Sequence, residues 1–408
     1  MGTPEFRDIE IPVSQLSMGM RVVELDCPWT ETSFMYQGFV IRHPEELREL
    51  RNKCRRVRIR IKVQTLSSGS KRAGAQGARE RIQYVDKVGF AEGVANAGPT
   101  YEMGRDFSCN LFESIRQGRA IDLKGAREVA ERVVDSVLES AAALRFLSQI
   151  RNRDEYTAEH SLSVCVFTAA MGRALGLPEQ EIKKAALGAL LHDVGKAKIP
   201  LEILNKPGRL TREEALEMAQ HPIHGRNLLL SLPPGERHAI DIAHAHHERP
   251  NGTGYPRKLT AEKIPLLAKI VSIVDAFDAM TSERPYGTVK SNHQAQSIIL
   301  RNAGTQFDEE MAKVFVELIG RYPPGTLVTM QDGSIGIVVS ARDTAKVQPR
   351  VLLVAHENGT RRAKEKLVDL EKAPKDDEGR LYQIVSDLPQ GTHGIRLQEF
   401  LDKGLVLG

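Results

Sequence analysis

The apolar residues of this 408-residue chain change their spacing twice, and those two changes bound what it can fold into. From about residue 122 to residue 320 they recur at helical intervals. Val129, Val133 and Val137, followed by Leu138, Leu144 and Leu147, predict one long amphipathic helix. Pro178 with Glu179 and Glu181 opens another, and Thr211 with Glu214 and Ser291 with Gln294 have capping-box spacing. Gly176 and Gly304 stand where helices should stop. On either side the period falls to that of strands: IEIPV, RVVEL, GFVI and RVRIRIK before it, with PEELRELRNKC helical among them, and LVTM, SIGIVVS, RVLLVAH and LVDL after it. The helical body is expected to begin near residue 105. The segment SSGSKRAGAQGARER has no apolar period and reads as a mobile linker. The expected chain is therefore multidomain, with a small α/β domain over 1–66, a linker or long loop over 67–95, an all-α bundle over 96–322 and a small β-rich appendage over 323–408.

Composition narrows the class. The length exceeds one ordinary core, and 41% hydrophobic with 27% charged residues describes a globular protein. A formal charge of +4 gives no general case for a nucleic acid polymer as partner. The densest basic run, KCRRVRIRIK, alternates Val57, Ile59 and Ile61 with Arg56, Arg58, Arg60 and Lys62, so it reads as a half-buried strand with a solvated face rather than a polyanion site. Cys27, Cys54, Cys109 and Cys165 are far apart in sequence without CxxC spacing, which argues against a disulfide framework and for a reducing, cytoplasmic setting. No apolar run approaches the ~20 residues of a membrane span, and no signal-peptide core is present. The opening MGTPEF reads as a cloning remnant and is excluded from the fold expectation.

Eight of the 12 histidines, His160, His192, His221, His224, His238, His244, His246 and His247, fall within the helical body. Imidazole is the commonest metal-ligating side chain, and ligands pointing inward from facing helices build a metal core. LLHDVGK places His192 and Asp193 at the end of an apolar helix before Gly195. His221 precedes Pro222, which favours a helix boundary there. His224 is either a further ligand or a capping residue, with the structural role favoured, and His244, three residues before His247, either shares its face or serves at the surface or in support. Asp275 and Asp278 lie in the apolar helix IVSIVDAFDAM, where a buried Asp275 needs a cation, either a metal or an arginine such as Arg284.

With His192-Asp193 and Gly254-Tyr255-Pro256 in hand, the sequence resembles the HD-GYP family of cyclic di-GMP phosphodiesterases, a subgroup of the HD superfamily of metal-dependent phosphohydrolases. The likeness runs from about His160 through RPY at 284–286, and IPVSQLSMGMRVVELDCPW resembles a small domain of unknown function fused ahead of such modules. It implies an HD-type helical bundle. His160, His192, Asp193, His221, His246, His247 and Asp275 are then the metal ligands, with Asp193 bridging two ions. Lys196 and Arg284 would hold phosphate oxygens, and Gly252, Thr253, Gly254, Tyr255 and Pro256 would shape the pocket rim. The implied reaction is metal-dependent hydrolysis of cyclic di-GMP to linear pGpG by a hydroxide bridging the ions, with Asp193 and Lys196 as catalytic residues.

The donor set suits iron, manganese, nickel or zinc, and the resemblance favours iron or manganese. It also implies two ions rather than three. The glutamate that holds a third ion in some relatives is replaced by Tyr156, a neutral phenol. A diguanylate cyclase-type or other protein partner at the GYP loop is compatible with the family. Two further readings stay open at this stage: another HD-type nucleotide phosphohydrolase, and a catalytically weak nucleotide sensor or partner-docking module.

Overall fold

The structure is a computed structural model that describes residues 6–13, 16, 20–27, 32, 39–41, 44–62, 81–149, 156–231, 234–282, 289–340, 348–376, 378–396 and 399–400. The chain divides into two compact units, 1–79 and 80–408.

In the first unit, strands β1 (Phe6–Pro12), β2 (Arg21–Leu25), β3 (Phe39–Val40) and β4 (Arg56–Lys62) form one antiparallel sheet in the order β1-β4-β2-β3, with helix α1 (Pro44–Lys53) entering before β4. Alternation along β4 buries Val57 and Ile59 against Val22 and Leu50. The intervening guanidiniums pair across strands, Arg60 with Asp8 at 2.7 Å, Arg56 with Glu10 and Arg58 with Glu24. This basic run is therefore the solvated face of a strand whose charges are matched by its neighbours.

The second unit carries α2 (Phe90–Arg116), α3 (Leu123–Glu139), α4 (Ala143–Gln149), α5 (Tyr156–Ala174), α6 (Glu179–Leu190), α7 (Leu201–Leu204), α8 (Arg212–Met218), α9 (His221–Leu229), α10 (Arg237–Ala245), α11 (Leu266–Thr281), α12 (Asn292–Arg301) and α13 (Glu309–Ile319). Both predicted capping boxes form, Thr211 with Glu214 and Ser291 with Gln294. Their largest shared core runs through α2, α3, α5, α6, α10, α11 and α13, with Val133, Val164, Leu190, Ile242, Val274 and Phe315 fully buried.

Three expectations need correction. The linker expected over 67–95 does not reach 95: α2 begins at Phe90, and before it Ile82 N donates to Gly176 O, Tyr84 Oη to Leu177 O and Lys87 N to Glu139 O. Within α2, Gly93 admits Ser140 so closely that an added Cβ would lie 2.7 Å from Ser140 Cβ. The helical body accordingly starts some 15 residues earlier than the expected 105, since α2 opens at Phe90. Finally, the single long helix over Val129–Leu147 is two. Ser140 takes an extended conformation (φ −147°, ψ 111°) and the Ala141 N–H donates to Asp86 Oδ1 at 2.9 Å, which ends α3 although the apolar period runs on.

Strands β5 (Leu327–Met330), β6 (Ile335–Ser340), β7 (Arg350–Ala355), β8 (Arg361–Asp369) and β9 (Ile384–Leu388) form an antiparallel sheet in the order β8-β7-β6-β5-β9. One face packs Ile337, Val339 and Val354 with Phe146 of α4 and Phe90 of α2. Asp387 of β9 also accepts from Ser291 Oγ at 2.9 Å and His293 N at 2.8 Å, so the appendage is docked to the bundle by a core and by polar bonds. Among the described residues no helix is long and apolar enough to cross a membrane.

Candidate metal centre

Helix ends deliver most of the donors. His160 lies in the first turns of α5, His192 and Asp193 follow α6, His221 starts α9, His246 and His247 end α10, and Asp275 lies in α11. Gly195 lets the turn after Asp193 press on α9: an added Cβ would stand 1.9 Å from His221 O and 2.4 Å from Gly225 N. No other residue could occupy that position without separating Asp193 from His221.

Asp193 sits at the centre with its two oxygens turned to different sets. Oδ2 faces His192 Nε2 at 3.3 Å and His160 Nε2 at 3.6 Å, and it also pairs with the Lys196 ammonium. Oδ1 faces His221 Nε2 at 3.3 Å and His246 Nε2 at 3.7 Å. Asp275 Oδ1 lies 3.2 Å from His160 Nε2, and its Oδ2 is 4.0 Å from His247 Nδ1. Donor atoms of His160, His192 and Asp275 fall within 4.8 Å of one another, as do those of His221, His246 and His247, and those of His192, Asp193 and His246. All seven residues expected as ligands thus converge. Among the described residues, His224, His238 and His244 stay outside these groups.

The imidazoles are oriented from behind. His192 Nδ1 lies 2.7 Å from Ala189 O, His221 Nδ1 2.8 Å from Met218 O, and His246 Nδ1 3.0 Å from Ala243 O, each carbonyl three residues upstream. Such an acceptor fixes the proton on Nδ1 and leaves the Nε2 lone pair directed inward. His160 Nδ1 meets the buried carboxylate of Asp278 at 2.7 Å. Asp278 was not expected as part of the site, although it lies three residues after Asp275 and so on the same helical face.

These residues fit divalent cations on physical grounds. His221 Nε2 approaches His246 Nε2 at 3.3 Å and His247 Nε2 at 3.1 Å. With Nδ1 of His221 and His246 donating to carbonyls, two lone pairs face each other in a buried space, an arrangement that a cation between them relieves. Protonation is a poor substitute: burial pushes His221 down to about 3 and His246 well below its ordinary range, the neighbouring His247 adding to both shifts. Among the described residues, Asp193 Oδ1 and His192 Nε2 are buried without a hydrogen-bond partner. Burial alone would raise Asp193 and Asp275, yet surrounding imidazoles, and for Asp193 the Lys196 ammonium, hold both carboxyls well below the usual range. His160 shows the same demand for positive charge, since burial lowers it but Asp193, Asp275 and Asp278 together push it up to about 10.

The open side is where solvent reaches the cluster. Lys196 and His247 have side chains 18% and 27% exposed, against 2% or less for His160, His192, Asp193, His221 and His246. Tyr255 stacks on His247 with ring centroids 4.7 Å apart, placing the GYP turn at this mouth. Gly252 has φ +76°, and Asn251 Oδ1 accepts from Thr253 N at 3.0 Å, closing the turn. Gly254 folds back so closely that an added Cβ would meet Arg249 N at 2.4 Å and His247 O at 2.6 Å. The Tyr255–Pro256 peptide bond is cis. A second residue missed in the sequence, buried Glu248, holds the turn from inside by accepting from Arg257 N at 2.7 Å and Leu259 N at 2.8 Å. Its only sequence signal is that it follows His246 and His247 directly. Arg284 and the side chain of Tyr156 lie outside the described residues.

Known families match three segments of the chain. The family described as "HD domain" matches residues 142–311, "Domain of unknown function (DUF3391)" matches 8–126, and "KOW domain associated with HD domain" matches 327–375. The chain is 32% identical over 383 residues to the cyclic di-GMP phosphodiesterase PA4108 of Pseudomonas aeruginosa, covering 90% of each protein. It is 36% identical over 210 residues to a cyclic di-GMP phosphodiesterase of Thermotoga maritima, covering 51% of this chain and 56% of that protein. It is also 36% identical over 158 residues to 3'3'-cGAMP-specific phosphodiesterase 3 of Vibrio cholerae, covering 39% and 34%.

Proposed function

This chain belongs to the HD-GYP family of HD-domain proteins, and on that premise we propose that it hydrolyses cyclic di-GMP to linear pGpG. The observation that carries the reading is the buried carboxylate of Asp193, one oxygen turned to His160 and His192 and the other to His221 and His246. His160, His192, Asp193 and Asp275 would hold one ion, and Asp193, His221, His246 and His247 a second. Iron or manganese is favoured, with nickel and zinc compatible with the donors. Two such ions, when bound, acidify water and neutralise a phosphodiester's non-bridging oxygen.

The remaining work falls to this chain's own side chains. Lys196, partly exposed beside Asp193, supplies a fixed positive charge where negative charge accumulates on the phosphate. Tyr255, braced against His247 by the turn that Glu248 holds, forms the wall against which the substrate is oriented. By family likeness Arg284 grips a phosphate oxygen. Consumption of one water breaks one ring ester bond and opens the dinucleotide. A protein partner docking at the GYP turn is compatible with its place at the mouth.

Incubating metal-loaded protein separately with cyclic di-GMP and with 3'3'-cGAMP, and separating products by chromatography, tests this. Linear pGpG as the favoured product supports the reading. Preference for 3'3'-cGAMP would move the protein to the specificity named for the Vibrio cholerae relative. Binding without turnover of either would make it a sensor.

A further inference from the structure

We propose that Cys27 and Cys54 of the N-terminal unit form a redox-active dithiol that low-molecular-weight disulfides of the oxidised-glutathione type close into an intramolecular disulfide. In sequence the two cysteines are unremarkable, but strand pairing brings them together. β2 and β4 run antiparallel with Leu25 opposite Val57, so the register continued past the strand ends sets residue 27 opposite residue 55. Cys54 stands next to that position at the end of α1, where its N–H donates to Leu50 O at 2.9 Å.

The junction is fixed by Asp26. Its Oδ2 accepts from Arg55 N and Arg56 N, both at 2.9 Å, which ties the end of β2 to the start of β4. The thiols, both free, emerge with their sulfurs 3.1 Å apart. A disulfide needs about 2.05 Å, so closure asks for a displacement of roughly 1 Å by sulfurs at the ends of rotatable side chains. Cys54 is buried in the core of this unit and Cys27 is only partly so. Burial, helped by the adjacent Cys27 and Asp26, pushes the Cys54 thiol up to about 12, so the accessible Cys27 is the entering nucleophile. A metal held by Asp26, Cys27 and Cys54 is the competing use of the same three side chains. The backbone bonds already accepted by Asp26 count against it.

The exchange balances without any further reagent. Cys27, as thiolate, attacks one sulfur of the small disulfide, forming a mixed disulfide and expelling one thiolate, which takes up the proton Cys27 released. Cys54 then gives up its proton and attacks the Cys27 sulfur, expelling the second small thiol. Two protein S–H bonds become one S–S bond, and one S–S bond of the oxidant becomes two S–H bonds. The closed loop would contain β3 and α1, so oxidation restrains both.

The full chain can be equilibrated in glutathione buffers of graded reduced-to-oxidised ratio, quenched with an alkylating agent under denaturing conditions and mapped by peptide mass. The expected result is joint loss of alkylation at Cys27 and Cys54 along one two-electron curve, with appearance of a cross-linked Cys27–Cys54 peptide while Cys165 stays alkylated. In Cys54→Ser, Cys27 should stop at the glutathione adduct. Accumulation of that adduct in the unaltered protein without the cross-link, or both thiols alkylated at every ratio, would overturn the proposal. Zinc retained at these thiols with no cross-link would assign the cluster to metal instead.

Discussion

Asp278 offers the sharpest test of how the site is built, because it touches no expected substrate and yet governs one ligand. Its fully buried Oδ2 lies 2.7 Å from His160 Nδ1, and His160 Nε2 in turn faces Asp275 and Asp193. Asp278→Asn keeps the shape but removes the charge that orients the imidazole and strengthens it as a donor. Loss of such a supporting carboxylate typically costs ~10–100-fold in metal affinity, or about 1.4–2.7 kcal/mol. The loss should fall on the His160, His192 and Asp275 side, since His221 and His246 are oriented by backbone carbonyls and His247 stacks on Tyr255. Competition titration with a chelator, with circular dichroism as the fold control, resolves the two affinities. Unchanged affinity at both sites, or equal weakening of both, would refute the idea that Asp278 acts through His160.

Asp193→Ala should abolish hydrolysis with helix content retained, because the residue faces both ligand groups; turnover like that of the unaltered protein would remove it from the site. Lys196→Ala should leave metal content intact and lower turnover by ~10²–10³-fold, about 2.7–4 kcal/mol, whereas metal loss in step with activity would make Lys196 structural. Glu248→Gln leaves one side-chain acceptor for two backbone donors, Arg257 N and Leu259 N, a cost of about 1–3 kcal/mol. The GYP turn should loosen and KM rise with both metals retained, and unchanged kinetics would show that Glu248 does not position the turn.

The seven convergent residues were carried by the family resemblance, and breaks in the pattern marked some of them, such as the apolar helix ending before His192 or the proline after His221, whereas Asp275 lies inside α11. What holds those ligands was harder to see. A backbone carbonyl three residues behind an imidazole leaves no trace in residue types, and Asp278 could not be told from its neighbour Asp275 without knowing that His160 packs opposite. Helix limits failed where packing overrode composition. At the start of α2, Gly93 is what close packing against Ser140 requires, whereas Asp86 breaks α3 from α4 through a bond no local pattern announces. The flanking sheets followed from period two, but the meeting of Cys27 with Cys54 depended on register, which alternation within single strands does not reveal.

Metal analysis of anaerobically loaded protein, combined with anomalous diffraction, tests the central claim most directly. The account predicts two ions per chain, one among His160, His192, Asp193 and Asp275 and the other among Asp193, His221, His246 and His247. A single ion, a reproducible third beside Tyr156, or anomalous density away from Asp193 would contradict it.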